Sequence, residues 1–398
     1  MTPAYPQVRL GDVISTNAST YSEKDNWEYV DYLDTGNITE NRINDIQRLY
    51  PAQDKLPSRA KRKLQKNDII YSTVRPIQKH YGLMKEIPPN LLVSTGFTTI
   101  TSSQKVDSGF IYYYLTQNEI VTNLQNIAEQ SVSAYPSIRP SDIEDLQLVL
   151  PPLPIQRSIA ATLSCLDDKI ELNNRINANL EAQAQAIFKS WFMDFEPFQD
   201  GEFIDSELGK IPKGWEVGTL GDMATITMGQ SPDGESYNRT GEGLVFYQGR
   251  TDFGWRYPTI RLFTTEPKRL AKKGDILLSV RAPVGDLNIA KEDCCIGRGL
   301  AAINSKKQSF IFYAMLSLKN QFDMFNGEGT VFGCINKDDL YGMKIIIPPE
   351  NTIFEFENTC LLIDNDIFTN CQQNIALAAI HDTLLPRLMS GEIGVGDL

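Results

Sequence analysis

At 398 residues, 41% of them hydrophobic and 22% charged, the chain has room for two or three domains and too many apolar side chains to be disordered. Its apolar runs fall short of the roughly 18 residues a membrane span needs, and the opening "MTPAYPQVRLGD" lacks the basic-then-apolar pattern of a leader. Six scattered cysteines with no CxxC pair argue against a disulfide framework or a zinc site and for reduced thiols in the cytoplasm.

The net charge of −12 discourages a nucleic-acid reading until its distribution is considered. Residues 1–150 hold 15 Lys+Arg against 17 Asp+Glu, and residues 206–347 hold 18 against 16. The acidity belongs to the stretches after them, 4 against 9 in 151–205 and 1 against 8 in 348–398. Locally, residues 42–85 carry 11 basic and 3 acidic side chains, and residues 239–307 carry 13 and 7. Each large piece therefore contains a basic region that the total hides.

Along the first piece, "KNDIIYSTVRP" (66–76) predicts a β-branched strand bounded by turns, and "FIYYYLTQNEIVTNLQNI" (110–127) has helical spacing. "LVLPPLPIQ" (148–156) is a strand that stops in prolines and restarts as a helix, since proline ends a strand and suits a first helical turn. The apolar positions Ile159, Leu163, Leu166, Ile170, Ile176, Leu180, Ala184, Ile187 and Trp191 then recur in steps of three and four, with Asn173 filling the one gap.

The chain next repeats itself. "TLGDM" (219–223) matches "RLGDV" (9–13), and "KGDILLSVRAP" (273–283) matches the strand at 66–76. "FIFYAM" (310–315) matches "FIYYYL" (110–115), and "CINKDDLYGMKIIIPP" (334–349) matches "SIRPSDIEDLQLVLPP" (137–152) at an offset of 197. The same offset carries the first seam onto Phe356, Cys360, Ile363, Ile367, Asn370, Gln373, Leu377, His381, Leu384 and Leu388. The seams are narrow enough to pair as a coiled coil, with Ile170, Asn173, Ile176 and Leu180 facing Ile367, Asn370, Leu377 and Leu384. A buried asparagine at the same level in each would fix the register; two ordinary surface helices are the plainer alternative. Chain continuity makes a paired arrangement antiparallel. The expected fold is α+β: mixed domains at 1–150 and 205–347, spacer helices at 151–197 and 348–398, and an internal pseudo-two-fold repeat.

Catalytic patterns are scarce. No Walker A, HExxH, NPP[YF] or GxSxG sequence occurs. "GRGLAA" (297–302) fits a dinucleotide pattern, but no crossover helix is expected there. "SPDGE" (231–235) with "EPK" (266–268) is a loose version of a metal-dependent nuclease set that the first repeat lacks. His80 and His381 have no evident catalytic partners. A binding protein without metal or cofactor is the simplest expectation. A bivalent scaffold for protein partners, and more distantly a nuclease, remain as rivals.

Two reader domains with two spacer helices resemble the specificity (S) subunit, HsdS, of type I restriction–modification systems. "AIFKSWFMDFEPF" (186–198) and "TLLPRLMSGEI" (383–393) look like that family's helix endings, "LGKIPKGWEVGTLGD" (208–222) like the opening of its second target-recognition domain, and "LPPLPIQRSIA" (150–160) like the start of its first helix. "IIIPPENTIFEFEN" (345–358) replaces the usual glutamine-rich start of the second. The resemblance implies a non-catalytic subunit in which each domain reads half of a bipartite double-stranded DNA target. Its rod would set the gap and dock methyltransferase (M) subunits, expected to be two. The M subunits would use S-adenosylmethionine, and restriction (R) subunits ATP and Mg; no membrane is involved. The acidic rod would then be a protein-docking surface, and the aromatic end of the first helix (Phe188, Trp191, Phe192, Phe195) either core or M-subunit contact.

Arg and Lys on loops supply phosphate contacts, and Arg or Asn in the major groove read base edges. The expected DNA-binding residues are Arg59, Lys61, Arg62, Lys63, Arg75, Lys79, Tyr135 and Arg139 in the first domain. In the second they are Arg239, Arg250, Arg256, Lys268, Arg269, Arg281, Arg298 and Asn336. Arg75 and Arg281 stand out because both follow the matched strand.

Overall fold

The computed structural model describes residues 5–130, 136–326 and 333–397. It divides into two compact units, one of Met1–Asn173 with Gln372–Leu398 and one of Asn174–Cys371.

The first unit holds two four-stranded sheets. One has the order Ile14–Thr16, Phe97–Ser102, Ile69–Ser72, Tyr81–Leu83; the other Gln47–Leu49, Val30–Leu33, Leu91–Ser94, Ala60–Lys63. Leu91–Ser94 runs parallel to Val30–Leu33, and the other pairs are antiparallel. The second unit repeats the plan. Thr225–Met228, Leu300–Asn304, Ile276–Ser279 and Leu287–Ile289 form its four-stranded sheet. Tyr237–Asn238, Phe263–Thr264, Leu244–Tyr247, Cys294–Ile296 and Leu270–Ala271 form the other, again with one parallel pair, Leu244–Tyr247 beside Cys294–Ile296.

The repeated words in the sequence spell repeated turns. Asp68 accepts from the Gln65 amide and the Thr101 hydroxyl, while Asp275 accepts from the Lys272 amide and the Asn304 side chain. The residue before each aspartate is left-handed (Asn67 at φ 68°, Gly274 at 91°), a conformation that Gly and Asn adopt most cheaply. Leu10 and Leu220, the leucines of "RLGDV" and "TLGDM", are fully buried and donate their amides to Leu146 and Met343 carbonyls. Each repeat thereby joins its start to its end.

Two 40-residue helices follow the prolines, Leu153–Phe192 and Glu350–Met389. Gln156, buried at the start of the first, donates to the Pro151 carbonyl and accepts from the Asp107 amide. The second helix has Ile353 at the matching position. There Glu357, one turn on, accepts from the amide of Phe310, so a carboxylate does the tying that the glutamine does in the first repeat.

Within each unit the helices pair antiparallel. In the first, Ile159 and Leu163 share a core with Leu385, Leu388 and Met389, and the Asn173 amide donates to Asn374 (2.9 Å) and Gln373 (3.3 Å). In the second, Asn370 donates to Asn177 at 2.9 Å, and Phe188, Phe192 and Ala184 pack with Phe356 and Cys360. Phe188, Phe192 and Phe195 are buried and Trp191 partly so, all within this core, which also contains Trp215 and Phe310. The aromatic helix end is thus core.

The seam departs from expectation in one place. Ile176 is 39% exposed, whereas Asn177 is 1% exposed and occupies the seam. The step from Asn173 to Asn177 is four residues, which continues the three–four alternation after the three from Ile170 to Asn173, so the regular repeat itself turns Ile176 outward. Asn173 and Asn370 therefore do not meet. The pairs are Asn173 with Asn374 and Asn177 with Asn370, which the 197-residue offset interchanges. Ile367 is fully buried, and Ile170, Leu180, Leu377 and Leu384 are partly buried.

This asparagine layer yields opposite outcomes for single and double replacement. Asn177→Leu alone strands the Asn370 amide and should cost about 1–3 kcal/mol. Asn177→Leu with Asn370→Leu removes both polar groups and should leave the chain as stable as the parent or more so. Urea denaturation of the three proteins measures both effects.

Candidate nucleic-acid interface

The cations in the first unit are carried on an edge strand and two joined loops. Arg59 lies just before the edge strand Ala60–Lys63, and its carbonyl accepts the Thr95 amide. Arg59 and Lys61 are exposed, Arg62 is half-buried, and Lys63 is held by Asp25 at 2.7 Å. Arg75 and Lys79 bracket the 3-10 turn Pro76–Gln78, both left-handed at φ 46° and 56°. Lys79 pairs with Glu40, while Arg75 projects without an ion pair among the described residues. The Arg75 amide donates to the Pro136 carbonyl and Val74 bridges Ser137, which brings the loop of Arg139 alongside. Arg139 is exposed at the start of the short helix Pro140–Glu144. Tyr135 lies outside the described residues.

In the second unit Lys268 and Arg269 precede the edge strand Leu270–Ala271, the counterpart of Ala60–Lys63. Arg269, Arg239 and Arg298 are exposed and unpaired among the described residues. Lys268 is paired with Asp233 and Arg250 with Asp286. Ala282 donates to the Gly333 carbonyl and Arg281 bridges Cys334, which joins this loop to the one bearing Asn336. Asn336 is exposed and caps Lys337–Tyr341, accepting from the Asp339 amide at 2.9 Å.

The two joints keep the register of the matched strands. The amides of Arg75 and Ala282 make the same bond, and Val74 and Arg281 the same bridge. Arg75 and Arg281 are therefore neighbours in register rather than equivalents, whereas Arg139 and Asn336 do correspond. Arg256 is a correction. Its side chain is 1% exposed and is held by Asp364 (2.5 Å) and Glu181 (3.2 Å), so it cannot reach a duplex. A buried guanidinium needs carboxylates to offset its lost hydration, and here both long helices supply them. Burial raises the Glu181 carboxyl above its usual range, partly countered by Arg256.

Sequence reasoning passed over Ile77, which is 54% exposed between Arg75 and Lys79. An apolar side chain at the centre of a basic turn is suited to a thymine methyl. Its signal was the unbroken "RPIQK". The two stretches of the loose nuclease pattern meet only in the exposed Asp233–Lys268 pair. Among the described residues no three His, Cys, Asp or Glu side chains are grouped to hold a metal, and no helix is long and apolar enough to cross a membrane. What these loops can do chemically is bind, since they present unpaired guanidinium groups on two similar platforms.

The sequence pattern of the family described as "Type I restriction modification DNA specificity domain" matches residues 5–182 and 212–376. The chain is 32% identical to a putative type I restriction enzyme MjaX specificity subunit of Methanocaldococcus jannaschii, covering 97% of this chain and 93% of that one. It is 26% identical to the type I restriction enzyme HindI specificity subunit of Haemophilus influenzae, over 98% and 99% of the two. The crystal structure of a type I restriction–modification S subunit from M. genitalium superposes with a TM-score of 0.60 at 16% identity, covering 97% and 96%, and shares the fold.

Proposed function

The chain belongs to the type I restriction–modification DNA specificity family, and on that premise we propose that its two repeats each read one half of a divided duplex target. It is the DNA-recognition subunit of a restriction–modification complex, and the enzymatic activities reside in its partners. In this reading the paired helices set the distance between half-sites and carry two methyltransferase subunits, which use S-adenosylmethionine, while restriction subunits supply ATP- and Mg-dependent cleavage.

The observation that carries the divided-target reading is the repetition of one loop joint. In each repeat the segment after the matched strand is bonded to the start of a short helix, and each joint presents an exposed arginine, Arg75 or Arg281. Arg75 keeps a left-handed backbone without being glycine, a strained state costing of order 1–3 kcal/mol. Strain retained at an exposed arginine is expected where its direction matters.

The test is the methylated motif in DNA from cells expressing this chain with its methyltransferase partner. The motif should consist of two short words separated by an unspecific gap. Arg75→Gly relieves the backbone and removes the guanidinium. Its folding stability should stay within about 1 kcal/mol of the parent, while binding weakens by about 1–3 kcal/mol and one word alone relaxes. Arg281→Ala should relax only the other word. A contiguous motif, or changes in both words from either variant, would contradict the reading.

A further inference from the structure

The ungapped match of 66–76 with 273–283 continues by one residue and sets Ile77 opposite Val284. Both amides are held in the same way. That of Ile77 donates to the Gln125 side chain at 3.2 Å, and that of Val284 to the Asn326 side chain at 2.6 Å. The side chains then part. Val284 is 2% exposed and joins the core of its repeat, whereas Ile77 is 54% exposed. The second repeat buries an aliphatic side chain at this position, and the first repeat forgoes that burial.

The turn that holds Ile77 out is fixed at both ends. The Arg75 amide ties its start to the Pro136 carbonyl. At its end the Glu40 amide donates to the Lys79 carbonyl, and the Glu40 carboxylate pairs with Lys79 at 2.7 Å. Within the turn the amides of Gln78 and Lys79 donate back to Arg75 and Pro76. Pro76 is buried, which leaves Arg75, Ile77 and Gln78 as the exposed side chains of the turn. A lone aliphatic side chain is too small a patch to hold a protein partner. It matches a target of its own size, the C5 methyl that thymine alone displays in the major groove, and the guanidinium beside it suits the flanking phosphates or a guanine.

We propose that Ile77 is a specificity-determining residue of the first repeat, meeting the C5 methyl of one thymine in the major groove of its half-word. The proposal rests on the reading of each repeat as a reader of duplex DNA. The second repeat makes no such contact from this position, because Val284 is inside its core.

The full-length chain, assembled with its methyltransferase partner, is assayed for binding to duplexes in which each thymine of the methylated motif is replaced in turn by 2′-deoxyuridine. The replacement removes the methyl and keeps the base pair. In the word that Arg75→Gly relaxes, one thymine, on either strand, should bind about three- to tenfold more weakly as uracil, the range for a single buried methyl. Ile77→Ser should weaken the parent duplex by a similar factor and bind the thymine and uracil forms alike at that position, the non-additivity of two groups in contact. Responses at the other word should be the same in both proteins. Melting curves show that the variant is folded, and Ile77→Ala repeats the test if the serine variant is not. A first word without an A·T pair, or without a thymine sensitive to the loss of its methyl, would overturn the proposal, as would a sensitivity that survives Ile77→Ser. An assembly that recognises no divided motif sinks the reading of the repeats and the proposal with it, whereas a divided motif indifferent to uracil sinks the proposal alone.

Discussion

Replacing Arg256 with methionine is expected to destabilise the second unit by about 3–5 kcal/mol, the cost of leaving buried carboxylates without their cation. Against a typical total of roughly 5–15 kcal/mol this is a large fraction. The methionine fills most of the space and can lie on Phe312, so the loss reports charge rather than volume. The pH dependence supplies a signature. Burial already raises Glu181 above its unfolded value, and removal of Arg256 takes away the attraction that opposes this. A carboxyl raised on folding contributes no penalty below its unfolded pKa of about 4.3. The penalty grows as pH rises through the folded value, because the folded state must then give up a proton it binds more tightly. The variant should therefore recover part of its stability on acidification from pH 7 toward pH 5. Urea denaturation across that range measures it, and a pH-independent deficit would show that the carboxylates are not the cause.

Lengthening both helices should widen the gap in the recognised DNA without changing the words on either side. Four helix-forming residues inserted between Asn173 and Asn174, and four between Cys371 and Gln372, add about 6 Å and about 40° of turn. A base-pair step advances about 3.4 Å and turns about 35°, so the best gap should grow by one or two pairs. The asparagine layer locates the insertions. Leu180 and Leu377, which the repeat alone would select, lie in different units, whereas these junctions coincide with the unit boundary in both helices. A coil absorbs a four-residue insertion by local unwinding. Methylation of duplexes whose gaps vary one pair at a time reads the optimum, and an unmoved optimum would remove the helices from the role of ruler.

The repeat, the strand–proline–helix joints and the antiparallel pairing were all legible in the sequence because they depend on local chemistry. Asp68 and Asp275 each organise a turn within a few residues, and the prolines act on their immediate neighbours. What was not legible depends on distance along the chain. Arg256 reads like any other cation in a basic region, and its partners Glu181 and Asp364 stand 75 and 108 positions away. Ile176 was misplaced by one position because the seam was followed through apolar side chains, whereas the strict three–four alternation runs through the polar Asn177. Arg75 and Arg281 both follow the matched strand, but the ungapped match of 66–76 with 273–283 already sets Arg75 opposite Ala282, and the bonds of Arg75 and Ala282 to Pro136 and Gly333 keep that register.

The first strand of each repeat, Gln7–Arg9 or Glu216–Thr219, lies antiparallel to its last, Gln147–Val149 or Lys344–Ile347. The polypeptide therefore leaves each domain within about 5 Å of where it came in. For a gene, such a domain is a cassette with both ends at one doorway. Recombination at the codons flanking the two strands can exchange everything between them across one ladder of backbone hydrogen bonds, provided the incoming segment keeps the groups that meet the helices, as Arg256 meets Glu181 and Asp364 and the Phe310 amide meets Glu357. If each domain reads half of a divided target as proposed, a lineage carrying this chain would acquire a new half-word in one genetic event while its helices went on unchanged.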